Sequence, residues 1–422
     1  MGTNIGKLSR IIRSLLLVFN VLVNGLVAGG QVSLWPEEIS FNHETGNQWD
    51  ALTIRKNATI TISAPEYKRE PYKNERFAYI MGQSNRTIRV KFNSNASNMN
   101  FLVKATVVSG EGIGHVCEIF VAACDLNTTV FTIKLQGSIP NSVGKRTFTW
   151  RWEATALPEN SPYCPITCTP VNTQHTYYTL LATPQAPMSI PWTEVLDYAC
   201  VWAGGETSQA NAATKITEFL YACGFNYETG LGAPRYSFYQ YPTYFNVTLL
   251  LFDLQYPNDI AVNCLDMGRA VVTFGNALGA NLNLTRFYSS IYNKPFPLNC
   301  IDPIGSPSPT NNTFSSPLIY NDCRTGGFGY HAFAANNERY VWDATLKYDI
   351  DNNPDNVSGS NPGCGNYNTS GFIWQLPCNE SQSTYLSRLV DYWIRPNNEG
   401  AIDCTDPEMC GIIVPNETIV AK

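Results

Sequence analysis

From Gln31 to about Pro187 the chain alternates apolar and polar residues in short runs, the period-two pattern of half-buried strands. Thr59–Ser63, Thr87–Phe92, Phe101–Val107, Thr129–Leu135, Arg146–Trp152 and Thr176–Leu181 read as strands with turn residues between them. Strands in that number and spacing predict an Ig-like β-sandwich. Pro184, Pro187 and Pro191 then mark a stiff linker. From Trp192 the period becomes helical. Val195, Leu196, Ala199, Val201 and Trp202 form one amphipathic run, and Ala210–Cys223 forms another that ends at Gly224. A third begins at Cys264, with Met267, Ala270, Val271, Phe274, Ala277 and Leu278 at helical spacing and Gly279 suited to the residue after a helix. Gly268 and Gly275 weaken that helix signal.

Further on, Tyr330–Ala335 and Arg339–Trp342 are β-prone runs around an Asn-Asn turn, the pattern of a hairpin. Residues 285–330 are rich in loop residues, including Ser306-Pro-Ser-Pro309, and read as a disulfide-held surface loop or a rim over a site. Residues 356–422 show little periodicity apart from a short helix at Ser383–Ile394. The layout is therefore α+β: a leader over residues 1–30, an Ig-like β-sandwich over 31–187, a mixed domain over 188–350 and a disulfide-rich C-terminal extension over 351–422.

Chemistry enters at three residues. Cys264 stands at or just before a helix start, where unpaired N–H groups and the positive dipole end favour a thiolate and can hold an oxyanion. A hairpin turn centred on Asn337 would put His331 directly opposite Asp343, with Cβ atoms roughly 5 Å apart. A slip of one residue would send the two side chains to opposite faces. Thiol, imidazole and carboxylate are the parts of a cysteine nucleophile, its base and the base's orienting partner.

Asn263-Cys264-Leu265-Asp266 with its helix, Tyr330-His331-Ala332-Phe333 and Val341-Trp342-Asp343-Ala344-Thr345 resemble the motifs of the transglutaminase-like superfamily, whose fold is papain-like. The segment Trp192–Gly204 is similar to the opening of such domains in secreted proteins that carry a β-sandwich in front. The resemblance covers roughly residues 188–350. It implies Cys264 as nucleophile, His331 as base and Asp343 as orienter, with no cofactor. It also implies an oxyanion donor upstream of the cysteine, for which Trp202 is the nearest tryptophan.

Thirteen cysteines fall into close neighbours: Cys117 with Cys124, Cys164 with Cys168, Cys200 with Cys223, Cys300 with Cys323, Cys364 with Cys378, and Cys404 with Cys410. Pairing them as disulfides leaves Cys264 over. Zinc is disfavoured, because no C-x-x-C pair occurs and there are four histidines. Asp349, Asp351, Asn353 and Asp355 imitate a calcium loop. However, Pro354 and Ser360 stand where that loop needs Gly and Glu, so no metal is expected.

Lys7, Arg10 and Arg13 precede an apolar run that ends in Ala28-Gly-Gly30, the layout of a signal peptide. Its length and its two asparagines disfavour a stable membrane span; an uncleaved anchor is the alternative. Asn-x-Ser/Thr sites occur at Asn57, Asn85, Asn95, Asn127, Asn246, Asn283, Asn311, Asn356, Asn368, Asn379 and Asn416, as in an exported glycoprotein. The full chain carries a net charge of −6, which becomes −9 without the leader's three basic residues. That surface disfavours nucleic acid and anionic membranes as partners.

Two readings follow. The first is a secreted cysteine enzyme that acts on amide or peptide bonds of a protein or peptide through a thioester, as a peptidase or amidase before a cross-linker. The second is a non-catalytic secreted adhesion or matrix glycoprotein that uses the fold as a scaffold for an extracellular matrix or cell-surface partner. An aromatic-rich sandwich that binds carbohydrate is a third and weaker reading.

Overall fold

A computed structural model describes residues 31–43, 50–96, 98–158, 165–228, 232–238, 244–257, 259–289, 296–298, 301–305, 325–350, 373–390, 411–414 and 420–421. The long N-terminal strands are β1 (Leu34–Ser40), β2 (Phe77–Ile80), β3 (Thr87–Ser94), β4 (Met99–Gly110), β5 (His115–Val121), β6 (Val130–Gln136), β7 (Gly144–Pro158) and β8 (Val171–Leu180). They run in the order β1-β3-β6-β5-β4-β7-β8-β2, antiparallel except for the parallel pair β8–β2. The sheet curls on itself. Phe92 on β3 meets Trp152 on β7 with ring centroids 5.7 Å apart, although three strands separate them in the hydrogen-bonded order. The inward face of every second residue therefore closes one apolar core, from Ile39, Ile88 and Val90 on one side to Val103, Trp150 and Tyr177 on the other.

Thr59–Ser63 does not form the expected strand. Asn57 Oδ1 accepts the N–H groups of Thr59 and Ile60, which bends the chain there and leaves a single bridge between Arg55 and Thr61.

The helices are α1 (Thr193–Trp202), α2 (Gln209–Tyr221), α3 (Val247–Asp253), α4 (Cys264–Ala277) and α5 (Gln382–Leu389). A second sheet runs β12 (Cys378–Ser381), β11 (Tyr340–Trp342), β10 (Tyr330–Asn336), β9 (Leu282–Ser289), β13 (Gly411–Val414). Helix α4 is buried along its whole length and lies across β9 and β10. The two glycines that weakened its sequence signal mark where it sits closest. A Cβ on Gly268 would lie 2.9 Å from Leu284 Cδ1 and 3.3 Å from the Phe333 backbone. One on Gly275 would lie 2.7 Å from Leu282 Cδ1. Helix propensity is given up for a close helix–sheet approach.

The proline-rich segment is not a free spacer. Leu181 N–H donates to Leu278 O (3.0 Å), Gln185 N–H to Asn276 O (2.9 Å) and Asn276 Nδ2 to Ala186 O (2.6 Å), so the end of α4 holds it. Residues of the N-terminal sheet, including Ala78, Val143, Tyr178 and Leu180, share one apolar core with α1, α2 and α4. At the same junction Asp197 of α1 accepts from Arg76 (2.5 Å) and Tyr178 (2.8 Å) and pairs with Lys145 (2.9 Å).

The described parts of the C-terminal extension are woven into the second half of the chain. β12 pairs with β11, β13 with β9, and Tyr385, Leu386 and Leu389 of α5 pack against Phe333, Val341 and Leu346. The helix expected at Ser383–Ile394 ends at Leu389, where Val390 turns extended; residues 391–394 lie outside the described residues, as does most of the calcium-like loop.

Burial pushes the Asp197 carboxyl up, but its bonds to Arg76, Lys145 and Tyr178 outweigh that and hold it below its ordinary 3.8. The junction's contribution is therefore complete above pH 3.8 and lost as pH falls through the lowered value. Asp197→Ala is expected to lower the unfolding free energy by about 1–3 kcal/mol at pH 7, read by urea denaturation. A change within error would show that the ion cluster adds nothing to the junction.

Candidate active site

Helix α4 starts where its sequence caps it. Asn263 Oδ1 accepts the Asp266 N–H (3.1 Å), and the Asp266 carboxylate reaches back to the Asn263 N–H (3.5 Å), a reciprocal cap. Asp266 also accepts the N–H groups of Arg235 (2.6 Å) and Tyr236 (3.0 Å), and Asn263 Nδ2 donates to Gly232 O (2.8 Å). Those bonds pin the segment around Gly232–Tyr236 against the helix start. Burial pushes the Asp266 carboxyl up, with the N–H groups of Arg235, Tyr236 and Asn263 pulling the other way. Cys264 is the first helical residue, 3% exposed. Its N–H and that of Leu265 lie in the first turn, where a helix has no carbonyl to offer them.

His331 stands on β10 and Asp343 just past β11. The register differs from the sequence expectation: β10 and β11 pair Ala334 with Trp342 and Ala335 with Val341, so the turn centres on Glu338. Asn336 sets it, because its Oδ1 accepts the N–H groups of Glu338 and Tyr340 while Arg339 takes a left-handed φ of 62°. Continuing that ladder puts Thr345 opposite His331, and Asp343 two residues away on the same face. The diagonal neighbour still reaches, since His331 Nε2 lies 2.8 Å from Asp343 Oδ2 with both side chains fully buried.

The carboxylate is fully engaged. Its Oδ1 accepts the Thr345 N–H (2.8 Å), and its Oδ2 also accepts the Tyr385 hydroxyl (2.7 Å). The Asp343 N–H donates to Pro377 O, which fixes the backbone from which the carboxylate projects.

Cys264, at the start of α4, adds a favourable electrostatic interaction with the same imidazole. Asp343 occupies Nε2, so Nδ1 is the ring nitrogen available to the sulfur. Burial works against charge on this imidazole, but Asp343 and then Cys264 outweigh it and push its pKa up to about 10. Tyr227, in the short strand pair 226–227 with 261–262, stands close enough to Cys264 for the two to act on each other electrostatically. Burial first, then the neighbouring thiol, raises the Tyr227 phenol well above its ordinary range, so it remains a donor.

The structure thus brings Cys264, His331 and Asp343 together and leaves Trp202 out. Trp202 ends α1 and packs on Phe219 and Phe274, its ring centroid 4.8 Å from that of Phe274. Phe274 lies ten residues along α4 from Cys264, about 15 Å at the helical rise. Trp202 is a core aromatic. Tyr227 and Tyr385 were not legible as site residues, because neither carries a local signal and both arrive through tertiary packing. Asn263 and Asp266 did carry one, the N-cap and third-position acid of a capping box.

The cysteine pairing needs correction. Cys117, Cys124, Cys168, Cys200, Cys223, Cys264 and Cys378 are all free thiols. About 13 Å of extended strand separates Cys117 from the end of β5, so Cys124 in the turn beyond is out of bridging reach. Cys200 faces the apolar core and behaves as a small apolar side chain, distant in role from Cys223 past the end of α2. A free thiol therefore does not by itself single out Cys264. Cys164, Cys300, Cys323, Cys364, Cys404 and Cys410 lie outside the described residues.

Asn57, Asn85, Asn95, Asn127, Asn246, Asn283 and Asn379 lie outside the buried interior, with Asn246 also capping α3 through its Oδ1. Asn311, Asn356, Asn368 and Asn416 lie outside the described residues. Among the described residues no group of three His, Cys, Asp or Glu side chains is placed to hold a metal ion. No helix among them is long and apolar enough to cross a membrane.

No family model matches the sequence, and no curated protein sequence matches it. Among solved structures the chain is similar to red sea bream transglutaminase, at a TM-score of 0.33 and 10% identity. That overlap covers 72% of this chain and 51% of the other, so the chain spans about half the length of that structure.

Two of the four histidines are expected to titrate far from the usual 6.5, in opposite directions. His331 should protonate with a midpoint at about 10, whereas burial among Phe41, Phe148 and Trp150 keeps His175 neutral down to about 3. Because the His331 value is raised, the pair's contribution to stability is full below pH 6.5 and lost as pH rises through about 10. NMR titration of the imidazole Cε1–H signals reads both. A His331 midpoint near 6.5 would mean that the carboxylate and thiol do not act on it.

Proposed function

We propose that this chain is an exported cysteine acyl-transfer enzyme of transglutaminase-like type, with Cys264 as nucleophile, His331 as proton shuttle and Asp343 as orienter. The observation that carries the reading is the fully buried His331–Asp343 bond, with Cys264 at its helix start acting on the same imidazole. A carboxylate in that place fixes the ring's tautomer and supports its cation, the form that pairs with a nucleophilic sulfur. Export rests on the N-terminal residue pattern and on sequon asparagines that lie outside the buried interior. The N-terminal sheet is read as an Ig-like sandwich that backs the site.

The chemistry balances on these groups alone. Cys264 Sγ bonds to the carbonyl carbon of an amide, and the carbonyl electrons move onto its oxygen. The N–H groups of the α4 start and the Tyr227 hydroxyl are the donors available to that oxyanion. When the C–N bond breaks, the His331 imidazolium gives its proton to the leaving amine, and a thioester remains on Cys264. His331, now neutral, takes a proton from an incoming water or amine. That acceptor displaces the sulfur, and the thiolate–imidazolium pair returns. Water gives hydrolysis of a peptide or protein amide; an amine gives cross-linking. Hydrolysis is preferred, because no separate amine site is apparent among the described residues.

The scaffold reading, an adhesion or matrix glycoprotein, draws on a thiol that is only 3% exposed. The two separate on one measurement. With p-nitrophenyl acetate as probe, an enzyme releases a burst of p-nitrophenolate stoichiometric with chain and leaves an acetyl group on Cys264. Cys264→Ala should abolish the burst while the chain still unfolds cooperatively in urea, its unfolding free energy lowered by about 1–3 kcal/mol. Tyr227→Phe should slow it about 10²-fold, the usual cost of one oxyanion donor. Acetylation spread over other thiols, or a burst that persists in Cys264→Ala, would favour the scaffold.

A further inference from the structure

The acid of a cysteine–histidine–aspartate set is usually described by its bond to the imidazole alone. Here the same oxygen, Asp343 Oδ2, accepts two donors: His331 Nε2 at 2.8 Å and the Tyr385 hydroxyl at 2.7 Å. Tyr385 comes from α5, 42 residues further along the chain. Its ring is fully buried, set edge-on to Phe333 at 5.1 Å and close to the rings of Tyr348 (6.2 Å) and His331 (6.5 Å). Phenylalanine would fill that volume equally well. What the hydroxyl adds is a third hydrogen bond to a fully buried carboxylate, and burial followed by Asp343 itself keeps the phenol protonated and donating.

We propose that Tyr385 is a positioning residue for the reaction, a fourth member of the constellation. Its hydroxyl fixes the orientation of the Asp343 carboxylate and draws off part of the charge that carboxylate presents to His331. The inference rests on the cysteine-enzyme reading above and deepens it, since the site is then completed by the C-terminal extension. Two donors competing for one oxygen make Asp343 a weaker partner for the imidazolium than it would be alone. His331 is thereby kept a better proton donor to the leaving amine.

The charged and titratable groups around this pair come from several elements. Cys264 on α4 acts on His331, and Tyr227 acts with Cys264, Tyr330 and Asp343, while Tyr221 on α2 and Cys378 and Glu380 on β12 act on Asp343. Tyr348 donates to Glu380, and Arg388 donates to both Tyr348 (3.2 Å) and Glu380 (3.4 Å), which holds that acid away from the site.

The test uses the full chain, with His331 followed by NMR titration and acylation by p-nitrophenyl acetate measured in parallel. Tyr385→Phe removes one oxygen, so Asp343 turns wholly to His331 and the imidazole midpoint should rise by about one pH unit. Site-specific 3-fluorotyrosine at position 385, a stronger donor of nearly the same shape, should move it down. The fluorinated chain keeps the question open to refutation if Tyr385→Phe does not fold. A His331 midpoint unmoved by either change would overturn the proposal and leave Tyr385 as packing. A wild-type chain that shows no acylation burst would instead overturn the enzyme reading on which the proposal rests.

Discussion

A carboxylate and an imidazole, both without solvent and 2.8 Å apart, set the terms for everything around them. An isolated buried charge costs far more than a folded chain of this size can bear, so such a pair survives only when the charged oxygens have hydrogen-bond donors. The chain supplies those donors as the Thr345 N–H next door and the Tyr385 hydroxyl from α5, while Cys264 acts on the imidazole from the start of α4. Removing one partner leaves the others uncompensated. The site is therefore an interlocked unit, and its reactivity and its stability come from the same bonds.

That unit needs α4 and β10 at a fixed distance. Gly268 and Gly275 let the helix lie against the strands, and the Asn263–Asp266 cap ties its first turn to the Gly232–Tyr236 segment. At the other end Asn276 and Leu278 hold the chain that returns from the N-terminal sheet, so the position of Cys264 is fixed from both ends of its helix. The N-terminal strands act on the site through this seating and through the core they share with α1, α2 and α4.

Much of this was legible in the residues. The period-two runs located five of the eight long strands, two of them five or six residues short at one end, and missed Leu34–Ser40, Phe77–Ile80 and His115–Val121; the apolar spacing located α1, α2 and α4. The same spacing, beginning at Met267, placed Cys264 at or just before its helix start. The hairpin was read with the right parity and the wrong centre, because Asn336, not Asn337, organises the turn. His331 and Asp343 survive that error, since a shift of two residues keeps the face and a shift of one would not. Trp202 failed for a different reason: distance along the sequence says nothing about which end of a helix an aromatic packs on. Tyr227 and Tyr385 were invisible, because a hydroxyl that matters only through a partner 37 or 42 residues away leaves no local pattern. The cysteine arithmetic misled where it treated closeness in sequence as closeness in space.

The central claim is that His331 and Asp343 hold Cys264 as a ready nucleophile in the folded chain. Alkylation of the folded, non-reduced protein by iodoacetamide at pH 6, followed by peptide mapping, tests it most directly. At that pH ordinary thiols, with values near 8.5, react slowly. The account predicts rapid labelling of Cys264 ahead of Cys117 and Cys124, although those two are exposed and it is not, and loss of that preference in His331→Ala. Labelling that follows exposure alone, with Cys264 slowest, would contradict it.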